Sequence, residues 1–415
     1  MYKRFVLDNG LTVAMDRRAA KKVVLLVGVK AGLINEDEKK SGVGHFVEHM
    51  LFKSNFSRTA RQVREDLEDG GAEVQAFSGS TDMYFYIKAL SSKLPKIVEI
   101  VYQAVANLDF ELKEFSLEKK NILSEMFLWP EQPMNYAYEE LFIPSLFRKT
   151  AFARSVVGAP KSIRYLKRRD LVNFKQRWYV PNNIVIVVCG GFDEKELEEK
   201  VASTFGSLKP YPVPMKKLDI KVKNERTELF KEREGIEHAY MHLGYRIPGT
   251  LSRDINKLRV LAGILGGGIS SRLFRELRDK RGLGYVIDCG TGGLAEIGIF
   301  YTAVTIFEPT PKKFKATLGV ILNEFEKLKT DLVEERELQR AKDLILSDYY
   351  DEMERIESKA LDMLEAEMQG VPYSKFKKFP FYIQSVSAQG VRAAARKYLN
   401  SNYTLTALVP RGFKK

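Results

Sequence analysis

The chain repeats itself. Pro95-Lys96-Ile97-Val98 opens a helical pattern that leads to Glu118, and Pro311-Lys312-Lys313-Phe314 opens one that leads to Glu334 and Glu335, an offset of 216 positions (311 − 95). Each half starts with a β-branched, alternating segment (Val23 to Val29; Tyr240 to Tyr245). A helix, a further strand (Met83 to Ile87; Ile299 to Thr305) and stretches with apolar residues at helical spacing follow in both. Such a duplication limits the chain to two similar halves, each burying a sheet under its own helices. The predicted fold class is therefore α+β, with two homologous domains, each a mainly antiparallel sheet with helices packed on one face. Pro210, Pro212 and Pro214, followed by a Lys-rich polar stretch, mark an extended connector. The expected boundaries are 1–209 for the N-terminal domain, 210–226 for the linker and 227–415 for the C-terminal domain.

Composition narrows the chemistry. With 415 residues and 45% apolar content the chain can bury a large core. Its two cysteines, Cys189 and Cys289, offer neither a disulfide framework nor a cysteine-based zinc site. Any metal must use histidines and carboxylates. The longest apolar runs, Val23 to Val29 and Ile184 to Cys189, have the length of buried strands, so no membrane span is expected. The opening Met1-Tyr2-Lys3-Arg4-Phe5 lacks the apolar core of a secretory signal, and the expected location is the cytoplasm of a prokaryote. The net charge of +13 is spread over alternating bases and acids, as in Lys231-Glu232-Arg233-Glu234, which is the pattern of an ion-paired surface. No signature of a nucleic-acid-binding module appears, and no nucleic-acid partner is expected.

Two of the four histidines lie in Gly44-His45-Phe46-Val47-Glu48-His49-Met50-Leu51, an H-x-x-E-H arrangement. The stretch has no proline and pairs Phe46 with Met50 and Val47 with Leu51 at i, i+4. It therefore reads as a helix on which His45 and His49 project one turn apart from the same face. Two neutral imidazoles so placed can share a metal ion, while Glu48 stands beside them free to take a proton from a water. A pair of core histidines on an amphipathic helix carries the same pattern, so a third ligand decides between the two. A helix with Glu118, Ile122 and Glu125 along one face (i, i+4, i+7) is a source of one. At the 216 offset His45, His49 and Glu125 fall on Leu261, Leu265 and Ala341, which cannot bind metal. His238 and His242, four apart on a predicted strand, share a face but are too far apart to chelate one ion. Gly266 to Ser271 lacks the Gly-Lys-Ser/Thr of a phosphate-binding loop and reads as a turn.

Gly44 to Ser54, with Glu125 seventy-six positions after His49 (125 − 49), resembles the pitrilysin and mitochondrial-processing-peptidase family of zinc endopeptidases. The resemblance implies that His45, His49 and Glu125 bind one Zn2+ per chain. It also makes Glu48 the general base and Glu118 a carboxylate that orients the site from behind a ligand. Leu277-Arg278-Asp279-Lys280-Arg281-Gly282-Leu283-Gly284-Tyr285-Val286 is similar to the family's C-terminal segment, in which an Arg and a Tyr seven positions on hold the substrate carbonyl and backbone. That implies catalytic roles for Arg278 and Tyr285, with Arg275 and Arg281 as near neighbours in the sequence. Val74-Gln75-Ala76-Phe77 stands where relatives carry Asn-Ala on a substrate-binding strand. Gln75, Ala76 and Phe77 are thus the implied peptide-binding residues, engaging an extended substrate by strand addition.

The whole reads as a zinc metalloendopeptidase that hydrolyses peptides or unfolded protein segments inside a chamber, with a Glu48-activated, zinc-bound water as nucleophile. Relatives of this length pair into dimers, so a homodimer is expected and a heterodimer is the alternative. The rival readings are a non-catalytic scaffold, one subunit of a heteromeric protease, and a basic binding protein.

Overall fold

The computed structural model describes residues 2–55, 57–128, 132–214 and 223–413. Part of the predicted connector, 215–222, lies outside them. The residues cluster into two compact units that are not contiguous in sequence. The first contains Met1–Phe127, Arg154–Lys217 and Asp351–Phe376; the second contains Leu128–Ala153, Leu218–Tyr350 and Lys377–Lys415. Each half of the chain thus lends a segment to the other half's unit.

The first unit is built on a six-stranded sheet, β1 (Tyr2–Val6), β2 (Thr12–Arg17), β3 (Lys22–Val29), β4 (Glu73–Ser78), β5 (Met83–Leu90) and β6 (Ile184–Gly190), in the order β1-β2-β6-β3-β5-β4. All pairings are antiparallel except β2 with β6. In β3 every residue after Lys22 is buried, which requires cover on both faces. One face carries the main core, in which Val23, Leu25 and Val27 join Phe46, Ile97 and Val101. The other face, with Val24, Leu26, Val185 and Val187, packs against Ala360, Met363 and Leu364 of the Ile356–Met368 helix. The exchanged segment is what covers that second face. Two salt bridges border it, Lys359 to Asp16 at 3.1 Å and Arg4 to Glu367 at 2.8 Å.

The second unit holds a five-stranded sheet, β7 (Thr227–Arg233), β8 (His238–Pro248), β9 (Ile287–Gly293), β10 (Ile297–Phe307) and β11 (Thr404–Pro410), in the order β7-β11-β8-β10-β9. Again one pair, β7 with β11, is parallel. Here Ala137 and Leu141, on a π-helical turn Ala137–Phe142, pack on Leu408. The architecture is α+β in both units, as the duplication implies.

The helical pattern from Pro95 to Glu118 is two helices, Leu94–Ala106 and Leu112–Leu128. Asn107 breaks it: its backbone is extended, and its side chain takes Asp109 N–H while donating to the carbonyls of Ser54 and Asp109. The buried Lys175 ammonium donates to the carbonyls of Ala104 and Asn107, capping the first helix. In the second half Pro311–Thr330 and Glu335–Glu354 divide in the same way at Asp331, whose backbone is extended.

Candidate metal centre

The H-x-x-E-H segment is the helix Val43–Met50. It starts at Gly42, whose φ of 88° is the left-handed conformation that glycine adopts without strain. Glu36 holds this start, accepting Gly42 N–H at 2.7 Å and Gly44 N–H at 2.8 Å, two of the donors that a helix N-terminus leaves open. Burial nevertheless raises the Glu36 carboxyl to about 7. Phe46, Val47 and Met50 face the core, and the Phe46 ring stacks on Phe115 at 4.9 Å, fixing this helix against Leu112–Leu128.

The opposite side brings the predicted ligands together. His45 Nε2 and His49 Nε2 are 3.3 Å apart. Glu125 lies 3.3 Å from His49 Nε2 and 3.9 Å from His45 Nε2. One atom from each of the three residues falls within 4.8 Å of the others. Burial, followed by the neighbouring His49, lowers His45 to about 4, so its imidazole is neutral at pH 7. Burial pulls His49 down as well, but its bond to Glu125 and the charges around it outweigh that and raise it. The Glu125 carboxyl is held low, first by that same bond. Two imidazole nitrogens aimed at one point beside a carboxylate form the donor set of a catalytic zinc site, and these residues fit such an ion.

Supports stand behind the ligands. Glu118 lies 3.4 Å from His49 Nδ1, and is itself held by Lys53 at 2.6 Å and Asn121 at 3.0 Å. Burial works to raise the Glu118 carboxyl, but Lys53, Asn121 and His49 prevail and keep it low. Among the described residues His45 Nδ1 has no partner. Glu48 is not one of the three clustered donors; its carboxylate accepts a hydrogen bond from Ser78 Oγ at 2.5 Å. Burial raises the Glu48 carboxyl, with Glu125 adding to the rise and Ser78 and His49 opposing it. Ser78, Lys53 and Asn121 escaped the sequence reading. Lys53 and Asn121 lie beside motif residues, but only the register of β4 reveals Ser78.

Ser78 ends β4, the edge strand of its sheet. Gln75 and Phe77 lie on the exposed face of that strand, and Ala76 on the half-buried one. The Gln75 amide donates to Glu73 at 2.7 Å, and the Phe77 ring stacks on Tyr84 at 4.7 Å.

In the second unit the Arg278 guanidinium sits 4.1 Å over the Tyr285 ring and 4.7 Å over Phe274. Tyr285 is half exposed and stacks on Phe307. Arg275 approaches Glu337 and Arg281 pairs with Glu276, whereas Arg278 has no carboxylate within ion-pair distance among the described residues. Leu261, Leu265 and Ala341 are core residues. His242 is buried against Phe142, which lowers it to about 4, and His238 packs on Phe307.

A model of the insulinase-type peptidase family M16 matches residues 12–159, and a model of the peptidase M16 inactive domain matches residues 165–345, together more than three quarters of the chain. The chain belongs to peptidase family M16. His45, Glu48, His49, Glu118 and Glu125 of this M16 protein fall in the first match, Arg278 and Tyr285 in the second. It is 29% identical to an uncharacterized zinc protease of Mycobacterium leprae, over 99% of this chain and 92% of that protein. It is 23% identical to an uncharacterized zinc protease of Bacillus subtilis over 99% of both chains. Among solved structures it superposes on a protease from Helicobacter pylori with a TM-score of 0.91 at 21% identity, over 99% of this chain and 100% of that one. A peptidase M16 inactive domain from Pseudomonas fluorescens gives 0.88 at 20% identity, over 100% and 99%. Among the described residues no helix is long and apolar enough to cross a membrane.

Proposed function

We propose that this M16 protein is a zinc-dependent endopeptidase acting on peptides and unfolded segments, with one zinc per chain held by His45, His49 and Glu125. The observation that carries the reading is the meeting of these three donors beside a carboxylate that is not one of them. A zinc ion bound there supplies Lewis acidity, polarising a carbonyl and acidifying a water. The chain's own residues do the rest. Glu118 engages His49 at Nδ1, so the Nε2 lone pair is the one that would be turned to the ion beside Glu125. Glu48, oriented by Ser78, accepts the proton of the attacking water and returns it to the leaving amine. The free edge of β4 offers main-chain groups to an extended peptide, which favours unfolded substrates of varied sequence. Arg278 and Tyr285, as N–H and phenolic donors, are proposed to receive the substrate's carbonyl oxygen as it gains charge. The proposed setting is a cytoplasmic homodimer.

The test pairs zinc content with cleavage of a quenched fluorescent peptide. Wild type should hold about one zinc per chain and cleave, while Glu48→Gln should hold the same zinc and lose activity by at least about a hundredfold. Zinc-loaded wild type that cleaves no peptide, or a chain that binds no zinc, would refute the reading.

A further inference from the structure

The second unit has a cavity of about 290 Å3 between Ser145–Thr150, Lys223–Thr227 and the end of β8 at Arg246. Arg148, Lys149, Lys223 and Arg246 line it, with Glu225 the one acidic residue among its walls. Glu225 pairs with Arg148 at 3.3 Å. Lys149, Lys223 and Arg246 have no carboxylate within ion-pair distance among the described residues, so Glu225 neutralises only part of the charge around the cavity. Like charges gathered around one cavity repel, and a bound anion removes that cost.

Two further observations set this cavity apart from a chance basic patch. Arg246 is fixed in place. Its Nε donates to Leu146 O at 2.6 Å and its Nη2 to Arg148 O at 3.5 Å, and the guanidinium lies 5.4 Å over the Phe147 ring. Its backbone is clamped by Asn224, whose amide accepts Arg246 N–H at 2.7 Å and donates to Arg246 O at 3.0 Å. A guanidinium held this way presents its remaining N–H groups as a preformed fork, the geometry that matches two oxygens of an oxyanion. Lys149, meanwhile, has a φ of 66°, one of only two non-glycine residues in the left-handed region among those described. A residue held there at a conformational cost is a pointer to function, and this one lines the same cavity.

We propose that this cavity binds a diphosphate group, inorganic or carried by a nucleotide, with Arg246 as the fixed fork and Lys149 and Lys223 as flanking charges. The site is independent of the peptidase reading, because every residue in it belongs to the second unit and none is among the proposed zinc ligands.

The experiment is isothermal titration of the full chain with inorganic pyrophosphate and, in parallel, ADP, at ionic strength held constant with sodium chloride. Wild type should bind saturably, one ligand per chain. An ADP-only signal names a nucleotide, and a signal with both names the diphosphate itself. Lys149→Gly suits the left-handed backbone while removing the charge, and should weaken binding by about tenfold. Arg246→Gln should weaken it further. If Arg246→Gln alters the circular dichroism, Lys149→Gly decides alone. No saturable heat up to about 10 mM of either ligand, or variant affinity within about twofold of wild type, would overturn the site.

Discussion

Replacing Ser78 by alanine tests the link between the edge strand and the proposed base. Ser78 Oγ lies 2.5 Å from Glu48 Oε2, the spacing of a hydroxyl donating to an ionised carboxylate. Glu48 lies on the motif helix and Ser78 at the end of β4, so this single bond joins the two elements that the reaction has to bring into register. A hydrogen bond to a charged group contributes about 1.5–3 kcal/mol. If that energy serves to hold the carboxylate toward the attacking water, its loss raises the barrier equally, and each 1.36 kcal/mol is tenfold in rate. Ser78→Ala should then lower kcat by roughly 10- to 150-fold with KM little changed, because the main-chain edge of β4 remains. Zinc content should match wild type, since Ser78 touches none of the three ligands. Ser78→Thr keeps the hydroxyl and should recover most of the rate. The assay is steady-state cleavage of a quenched peptide together with metal analysis of each variant. A Ser78→Ala enzyme with full zinc and kcat within twofold of wild type would refute the argument.

Two other outcomes follow from burial and charge. Removing zinc with a chelator should destabilise the protein, by about 4 kcal/mol where free zinc had stood a thousandfold above its dissociation constant; a melting curve unmoved by chelation, or moved equally in His45→Ala, would contradict the ligand assignment. Lys175, fully buried, is pushed down to about 7 by burial. Its folded value lies below the unfolded one of 10.5, so between those pH values the unfolded chain binds a proton that the folded chain lacks, and stability must rise with pH. Against Lys175→Met, wild type should gain stability from pH 7 toward 10.5 by up to roughly 5 kcal/mol, read from urea midpoints; parallel pH profiles for the two proteins would contradict it.

The repeat and the H-x-x-E-H helix were legible because both are local. Helical spacing put His45 over His49, and a fixed offset joined two halves that never had to be folded to be compared. Glu125 needed more, since its helix reaches the motif helix only through packing such as Phe46 on Phe115; the family resemblance stood in for that contact. Ser78 lay beyond either route. A serine four residues after Val74 has no distinguishing pattern, and its value comes from the register of β4 against β5, where it pairs with Met83 and meets Glu48. The exchange of helical segments between the units was equally hidden. Apolar spacing shows that Ala360, Met363 and Leu364 bury a face, but not that the face they bury belongs to the other half's sheet.

The comparison of the two halves also explains why only one of them carries a candidate centre. Where the first half has His45, His49 and Glu125, the second has Leu261, Leu265 and Ala341, all in its core. Those positions therefore lie where the fold can bury a side chain, and apolar residues there stabilise the unit without further partners. Ionisable groups in the equivalent places are costly. Burial lowers His45 to about 4, raises Glu36 to about 7 and raises Glu48. At the ligand positions the clearest such cost is His45, whose Nδ1 is buried without a partner among the described residues where the second half keeps Leu261. A structural role does not require that cost, since the second unit shows that the same fold is satisfied without it. The proposed cation between His45, His49 and Glu125 would offset that burial, which gives the polar set of the first unit its reason.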